Sequence, residues 1–235
     1  MDILSQHPFF LTFVVFIVGL LMGSFLNVVI YRLPIMMKKG WRRECIEFLQ
    51  QTPEDIPDHL QPFVERTDVS EEPFNLVFPL SRCPHCHAPV KPYQNIPVVS
   101  YLLLRGKCAV CKAPISLRYP LVELFTAVAS ATVAWDFGYS LQTLFALWLT
   151  WSLIALIFID FDHHLLPDSI NLPLLWLGLL LSLFGFYTDS RSSIIGAIAG
   201  YGSLWLVYHL FKLATGKEGM GYGDFKLLAL FGAWL

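Results

Sequence analysis

Between Asp2 and Arg32, from Ile3 to Tyr31, the chain runs without a single Asp, Glu, Lys or Arg. About 20 apolar residues cross the hydrocarbon core of a bilayer as a helix, and this run exceeds that length. In lipid, only helices and closed barrels satisfy their own backbone hydrogen bonds. A run of this length therefore commits the amino-terminal part of the chain to a membrane helix. No small-residue cleavage site follows it, because Gly23-Ser24 passes straight into Phe25-Leu26-Asn27-Val28-Val29. The segment is expected to stay as an anchor and not to be removed as a signal peptide. Composition points the same way: 55% of residues are hydrophobic and 14% charged, against about 25% charged in soluble domains. A net charge of −2 offers no basic excess for nucleic acid. Five cysteines, unevenly placed, do not make a secreted disulfide scaffold.

Further apolar runs follow at Tyr119–Trp135 (interrupted by Glu123), Phe137–Ile159, Ser169–Thr188 and Ser192–Phe211. Each of the last three is long enough to span. A sixth begins at Phe225 and reaches Leu235. At 1.5 Å per residue it covers about 16 Å, roughly half the hydrocarbon thickness, so the chain is expected to stop inside a truncated span. The expected fold is an all-α polytopic membrane protein of about six spans, the last truncated, with one polar insert. Its divisions are a first transmembrane helix at 1–33, an insert at 34–118 and a transmembrane core at 119–235. Twelve of the sixteen Lys and Arg residues lie between Arg32 and Arg118. Positive charge marks cytoplasmic loops, so the insert, the Asp160–Asp168 turn and the Lys212–Asp224 turn are expected on the cytoplasmic side of the membrane.

The insert has two parts. From Trp41 to Pro73 it is polar and acidic, read as short helices and a linker, with Cys45 an isolated thiol. The second part carries two knuckles, Cys83-Pro-His-Cys86 and Cys108-Ala-Val-Cys111. Two such pairs supply the four sulfur ligands of a tetrahedral Zn²⁺. A cytoplasmic location disfavours the alternative of two disulfides. His85 and His87 could substitute, but four cysteines already close the site, and a closed site is structural and not catalytic.

Carboxylates at a membrane boundary are expensive, and functional by default. Asp160 abuts Leu156-Ile157-Phe158-Ile159, while Asp224 is framed by Gly219, Gly221 and Gly223 and an apolar helix. Capping of a span is the plain alternative for both. Asp162, His163, His164 and Asp168 read more simply as a solvated turn. Two carboxylates sharing a partly desolvated site hold one proton between them, which is the equipment for hydrolysis by water. The glycines beside Asp224 would let an extended peptide lie against the backbone, so Gly219, Gly221 and Gly223 are expected on the substrate side.

The run Gly219-Met-Gly221-Tyr-Gly223-Asp224 resembles the GxGD signature of intramembrane-type aspartic proteases. Together with Gly23-Ser24-Phe25-Leu26-Asn27 through Leu33-Pro34, the two knuckles, Tyr119-Pro120-Leu121-Val122-Glu123-Leu124 and Asp160 to Leu165-Leu166-Pro167-Asp168, the chain resembles the bacterial type IV prepilin peptidases. The resemblance implies Asp160 and Asp224 as the catalytic pair, with Asp162 the fallback for the first. It implies cleavage of the basic leader of prepilins and pseudopilins, then N-methylation of the new amino terminus with S-adenosylmethionine. No residue is assigned to the methyl donor. It also implies a structural clip, since some relatives lack it, and further spans after the GxGD helix. The competing readings are a proton or cation relay through Asp160 and Asp224, and a non-catalytic scaffold for pilus or secretion assembly.

Overall fold

The computed structural model describes residues 7–52 and 74–235, and regular structure among them is helical. The acidic residues from Glu54 to Glu72 lie outside the described residues. The chain divides into two compact units, one of Leu20–Phe125 and one of Thr126–Leu235 together with the chain up to Gly19.

Helix α1 runs from Pro8 to Gln51, 44 residues. That is about 66 Å of helix, more than twice a bilayer's hydrocarbon core. The expected boundary at residue 33 is therefore not a helix end, and residues 41–51, expected as short helices, continue the same rod. Pro34 lies inside it, where it removes one backbone donor and leaves the carbonyl of Ile30 without its helical partner. Long-range contacts hold this turn. Buried Arg32 donates to the carbonyls of Asn75 at 2.9 Å and Pro79 at 2.6 Å, and its guanidinium lies 5.8 Å from the Phe74 ring centre.

A short helix, α2 (Val99–Leu103), precedes α3 (Arg118–Phe137). The first turns of α3 are tied to α1 by polar contacts. Asn27 Nδ2 donates to the Tyr119 carbonyl at 3.1 Å, and the Ser24 hydroxyl bonds Glu123. Glu123 Oε2 also accepts the backbone N–H of Val98 at 2.7 Å. A buried carboxylate needs such partners, and these explain how Glu123 can interrupt an apolar run.

In the other unit, Ser140 caps α4 (Leu141–His163) by accepting from the Thr143 amide. Helix α5 covers Asp168–Ser182, only 15 residues. The Ser169–Thr188 run, expected as a single span, is thus split. Leu183 to Thr188 leave the helix through Gly185 at φ +64, and Asp189 then caps α6 (Ser190–Thr215) by accepting from Arg191 and Ser192. Gly216, at φ +69, ends α6, and α7 covers Tyr222–Trp234. Among the described residues three helices, α1, α4 and α6, are long and apolar enough to cross a membrane, while α5 is a shorter apolar helix. The apolar runs of the sequence lead one to expect about six.

Helix α7 packs against α5 and α6 around Leu174, Leu181, Leu230, Ala233 and Trp234. Trp234 lies over Gly178 and donates to the Leu174 carbonyl at 2.9 Å, and Ser193 donates to the Ala233 carbonyl at 2.6 Å. Gly196 and Gly200, one turn apart on α6, meet the backbone of α7 at Gly232 and Leu228. A Cβ on Gly200 would lie 2.6 Å from the Leu228 carbonyl oxygen. Small residues at this spacing let membrane helices approach backbone to backbone.

Candidate functional site

The four knuckle cysteines are all free thiols, and their Sγ atoms lie within 4.8 Å of one another. Cys83 Sγ and Cys111 Sγ are 3.8 Å apart. Four sulfurs at ~2.3 Å around one ion form a tetrahedron with edges of about 3.8 Å, so the quartet fits a tetrahedral metal. The two knuckles repeat one design, position for position. Cys83 and Cys108 donate their amides to Ala88 and Ala113, while their carbonyls accept from His87 and Lys112. His87 and Lys112 both adopt positive φ, and Arg82 pairs with Pro89 as Lys107 does with Pro114. In each knuckle backbone amides point at the first sulfur. Those of Cys86 and His85 lower the Cys83 pKa, and those of Cys111 and Val110 bring Cys108 down to about 6. Such amides stabilise the thiolates that a metal requires.

Asp160 lies in the last turn of α4. Its backbone carbonyl accepts from His164, whose left-handed conformation (φ 51, ψ 44) ends the helix. One turn back is Leu156 and next to it Ile159, both fully buried, and Asp160 is half-buried at the edge of that face, whereas Asp162 is exposed. Asp224 lies in the first turn of α7, its amide bonded to the Gly221 carbonyl at 3.3 Å. The carboxylate at 160 thus closes one helix and that at 224 opens another.

Two contacts fasten the segments that follow and precede them. A Cβ on Gly223 would lie 2.8 Å from Leu166 Cβ, so only glycine lets the Leu165-Leu166-Pro167 turn press on the chain beside Asp224. Lys226 Nζ grips both oxygens of Asp168, at 2.8 and 2.6 Å. Aromatic rings back the same turn of α7. Tyr208 is buried, with its ring centre 5.5 Å from Tyr222 and 5.6 Å from Phe225, and Phe225 is fully buried. Of the three glycines expected on the substrate side, Gly219 abuts the Phe211 ring and Gly223 abuts Leu166. Gly221 is exposed and would admit a Cβ in ordinary contact, its nearest neighbour the Asp224 carboxylate at 3.7 Å.

Comparison with known families decides what this arrangement belongs to. Residues 17–137 match the bacterial peptidase A24 N-terminal domain, and residues 147–235 match the type IV leader peptidase family. The chain belongs to the type IV leader peptidase family. The leader peptidase match contains Asp160 and Asp224, and the N-terminal match contains the cysteine quartet. Proteins named prepilin leader peptidase/N-methyltransferase are similar along nearly the whole chain. That of Stutzerimonas stutzeri is 51% identical over 99% of this chain and 76% of its own length. That of Neisseria gonorrhoeae is 53% identical over 93% and 72%. That of Aeromonas hydrophila is 53% identical over 94% and 72%. No solved structure matches.

Against this leader peptidase background, several residues carry structure that sequence reasoning did not assign. Lys226 is the partner of Asp168; a lone lysine in the run Phe225–Leu235 is the signal, because a cation there needs an anion. Asp168, expected in a solvated turn, is held by that lysine. Asn171, one turn further along α5, is fully buried with neither amide end paired. The Gly23–Pro34 and Tyr119–Leu124 motifs are two sides of one polar joint, formed through Ser24, Asn27 and Glu123.

Proposed function

We propose that the chain is a membrane aspartic endopeptidase whose dyad is Asp160 and Asp224. It cleaves the basic leader of type IV prepilins and pseudopilins and methylates the amino terminus so produced. The observation that carries the dyad is the double fastening of the two segments, Gly223 on Leu166 and Lys226 on Asp168. It keeps the turn after Asp160 against the first turn of α7. One carboxylate takes a proton from water as its oxygen adds to the scissile carbonyl. The other donates a hydrogen bond and then a proton to the carbonyl oxygen. Collapse of the tetrahedral adduct breaks the C–N bond, and the departing nitrogen takes up a proton as the new amino terminus. Gly221 is the one glycine of the three whose added Cβ would meet no clash, and it lies beside the Asp224 carboxylate, so we place substrate there.

We assign Zn²⁺ to Cys83, Cys86, Cys108 and Cys111, where it staples the two knuckles and, with four ligands filled, takes no part in hydrolysis. The methyl donor would be S-adenosylmethionine, which would supply an electrophilic methyl group to the pilin amine that this chain frees by cleavage, leaving S-adenosylhomocysteine. The basic-residue distribution puts the 34–118 insert, Asp160 and Asp224 on the cytoplasmic side of the inner membrane.

The test is incubation of the purified protein in detergent with a prepilin, with mass spectrometry of the product amino terminus. Leader removal without any ion gradient separates a peptidase from a relay. Methyl transfer onto a pre-cleaved pilin should survive Asp160→Asn and Asp224→Asn, because it needs no hydrolysis. Uncleaved prepilin after incubation with the well-folded wild-type protein would sink the reading.

A further inference from the structure

From Phe74 to Val122 the chain contains Arg82, Lys91, Arg105, Lys107, Lys112 and Arg118 but no Asp or Glu, so this stretch remains positive even with four thiolates around a divalent ion. Within it, α2 is pinned through Tyr101. The Tyr101 ring fills the space over Gly106, and its hydroxyl donates to the Ile115 carbonyl at 3.3 Å, next to the second knuckle. The residues facing away are Val99, Leu102 and Leu103, related by helical spacing. Leu102 is 67% and Leu103 78% exposed. Exposed Arg105 and Lys107 follow directly.

This presentation is fixed by the backbone. Val98, just before α2, has φ +58 and Arg105, just after it, has φ +51. A β-branched residue at positive φ persists only where its surroundings hold it, and here Glu123 takes the Val98 amide. Glu123 belongs to α3, whose own exposed residues Leu121, Leu124 and Phe125 begin an apolar helix. The α2 tip is therefore fastened at the start of a hydrophobic helix, with two leucines turned outward and two cations beside them.

We propose that α2 is a membrane-surface foot, in which Val99, Leu102 and Leu103 dip into the interface while Arg105 and Lys107 bind the phosphates of anionic phospholipids. Anionic headgroups complement this basic stretch, whereas a basic leader peptide would be repelled by it. Apolar wedges flanked by cations bind at the headgroup boundary, and each Lys or Arg near an anionic surface strengthens binding roughly fivefold.

The protein is placed in nanodiscs of phosphatidylcholine, or of phosphatidylcholine with about one-third phosphatidylglycerol, a content that sets a negative surface potential. Both contain a phospholipid with a photoactivatable group near its glycerol backbone. Both faces of a nanodisc are open, so the result does not depend on orientation in the cell, and it is independent of peptidase activity. Lipid adducts should appear on the peptide covering residues 96–107 and increase several-fold with phosphatidylglycerol. R105Q/K107Q should abolish that increase, and L102S/L103S should remove the adducts altogether, with both variants keeping their metal content. Adducts absent from 96–107, which would leave the face to a protein partner, or adducts indifferent to phosphatidylglycerol, would overturn the proposal.

Discussion

At the scale of single residues, Asp160 and Asp224 stand apart by position, one half-buried in the last turn of α4 and the other opening α7. If they act as a unit, Asp160→Asn or Asp224→Asn alone should slow leader cleavage by at least ~10², and the double variant should be little worse. Additive losses would break the dyad, and full activity in a well-folded Asp160→Asn would move the first role to Asp162. The Asp168–Lys226 pair is only partly shielded, with side chains 50% and 30% exposed. Such a pair stabilises by about 0–1 kcal/mol, so its value lies in placing α7. Lys226→Met should leave the melting temperature nearly unchanged yet slow cleavage roughly tenfold, because small misplacements of a catalytic group are costly. The exchanged pair D168K/K226D should recover part of the rate; failure to recover any would assign Lys226 another task.

At the scale of elements, the closest packing is that of α6 on α7 through Gly196 and Gly200. Gly200→Leu pushes a side chain into the Leu228 carbonyl and should cost about 1–3 kcal/mol, read as a lowered melting temperature. An unchanged melt would mean that the two helices can part. The cysteine clip is a second element with its own test. Cys83→Ser should release the metal and open residues 79–118 to proteolysis, since such modules seldom fold without their ion. A variant that keeps stoichiometric zinc would disprove the four-sulfur site. Most of this was legible in the sequence where chemistry is local. The knuckles follow from C-x-x-C spacing, and both aspartates stand out because charge is costly beside an apolar run. What escaped was set by tertiary contact. Pro34 signals a helix end locally, yet Arg32 reaches the distant Asn75 and Pro79, and the helix continues. The Ser169–Thr188 run has span-like composition, but its helix ends at Ser182 and the rest turns through left-handed Gly185. Lys226 and Asp168, far apart in the chain, become partners only once α5 and α7 have packed.

At the scale of the whole molecule, membrane orientation is the property that decides which substrates can reach the dyad. Cys45 is exposed on α1 and tests it directly. A membrane-impermeant thiol reagent added to intact cells should leave it unlabelled and should label it once the cells are opened. Labelling from outside would invert the topology and deny cytoplasmic leaders access. The chain spans about three quarters of the length of relatives such as that of Stutzerimonas stutzeri, and the match runs through both the cysteine quartet and the two aspartates. The glycine contact between α6 and α7 has one more consequence. Two helices touching main chain to main chain leave no gap between them for a third chain to enter unless they first move apart. To any segment moving sideways through the lipid, that side of the protein is a closed wall.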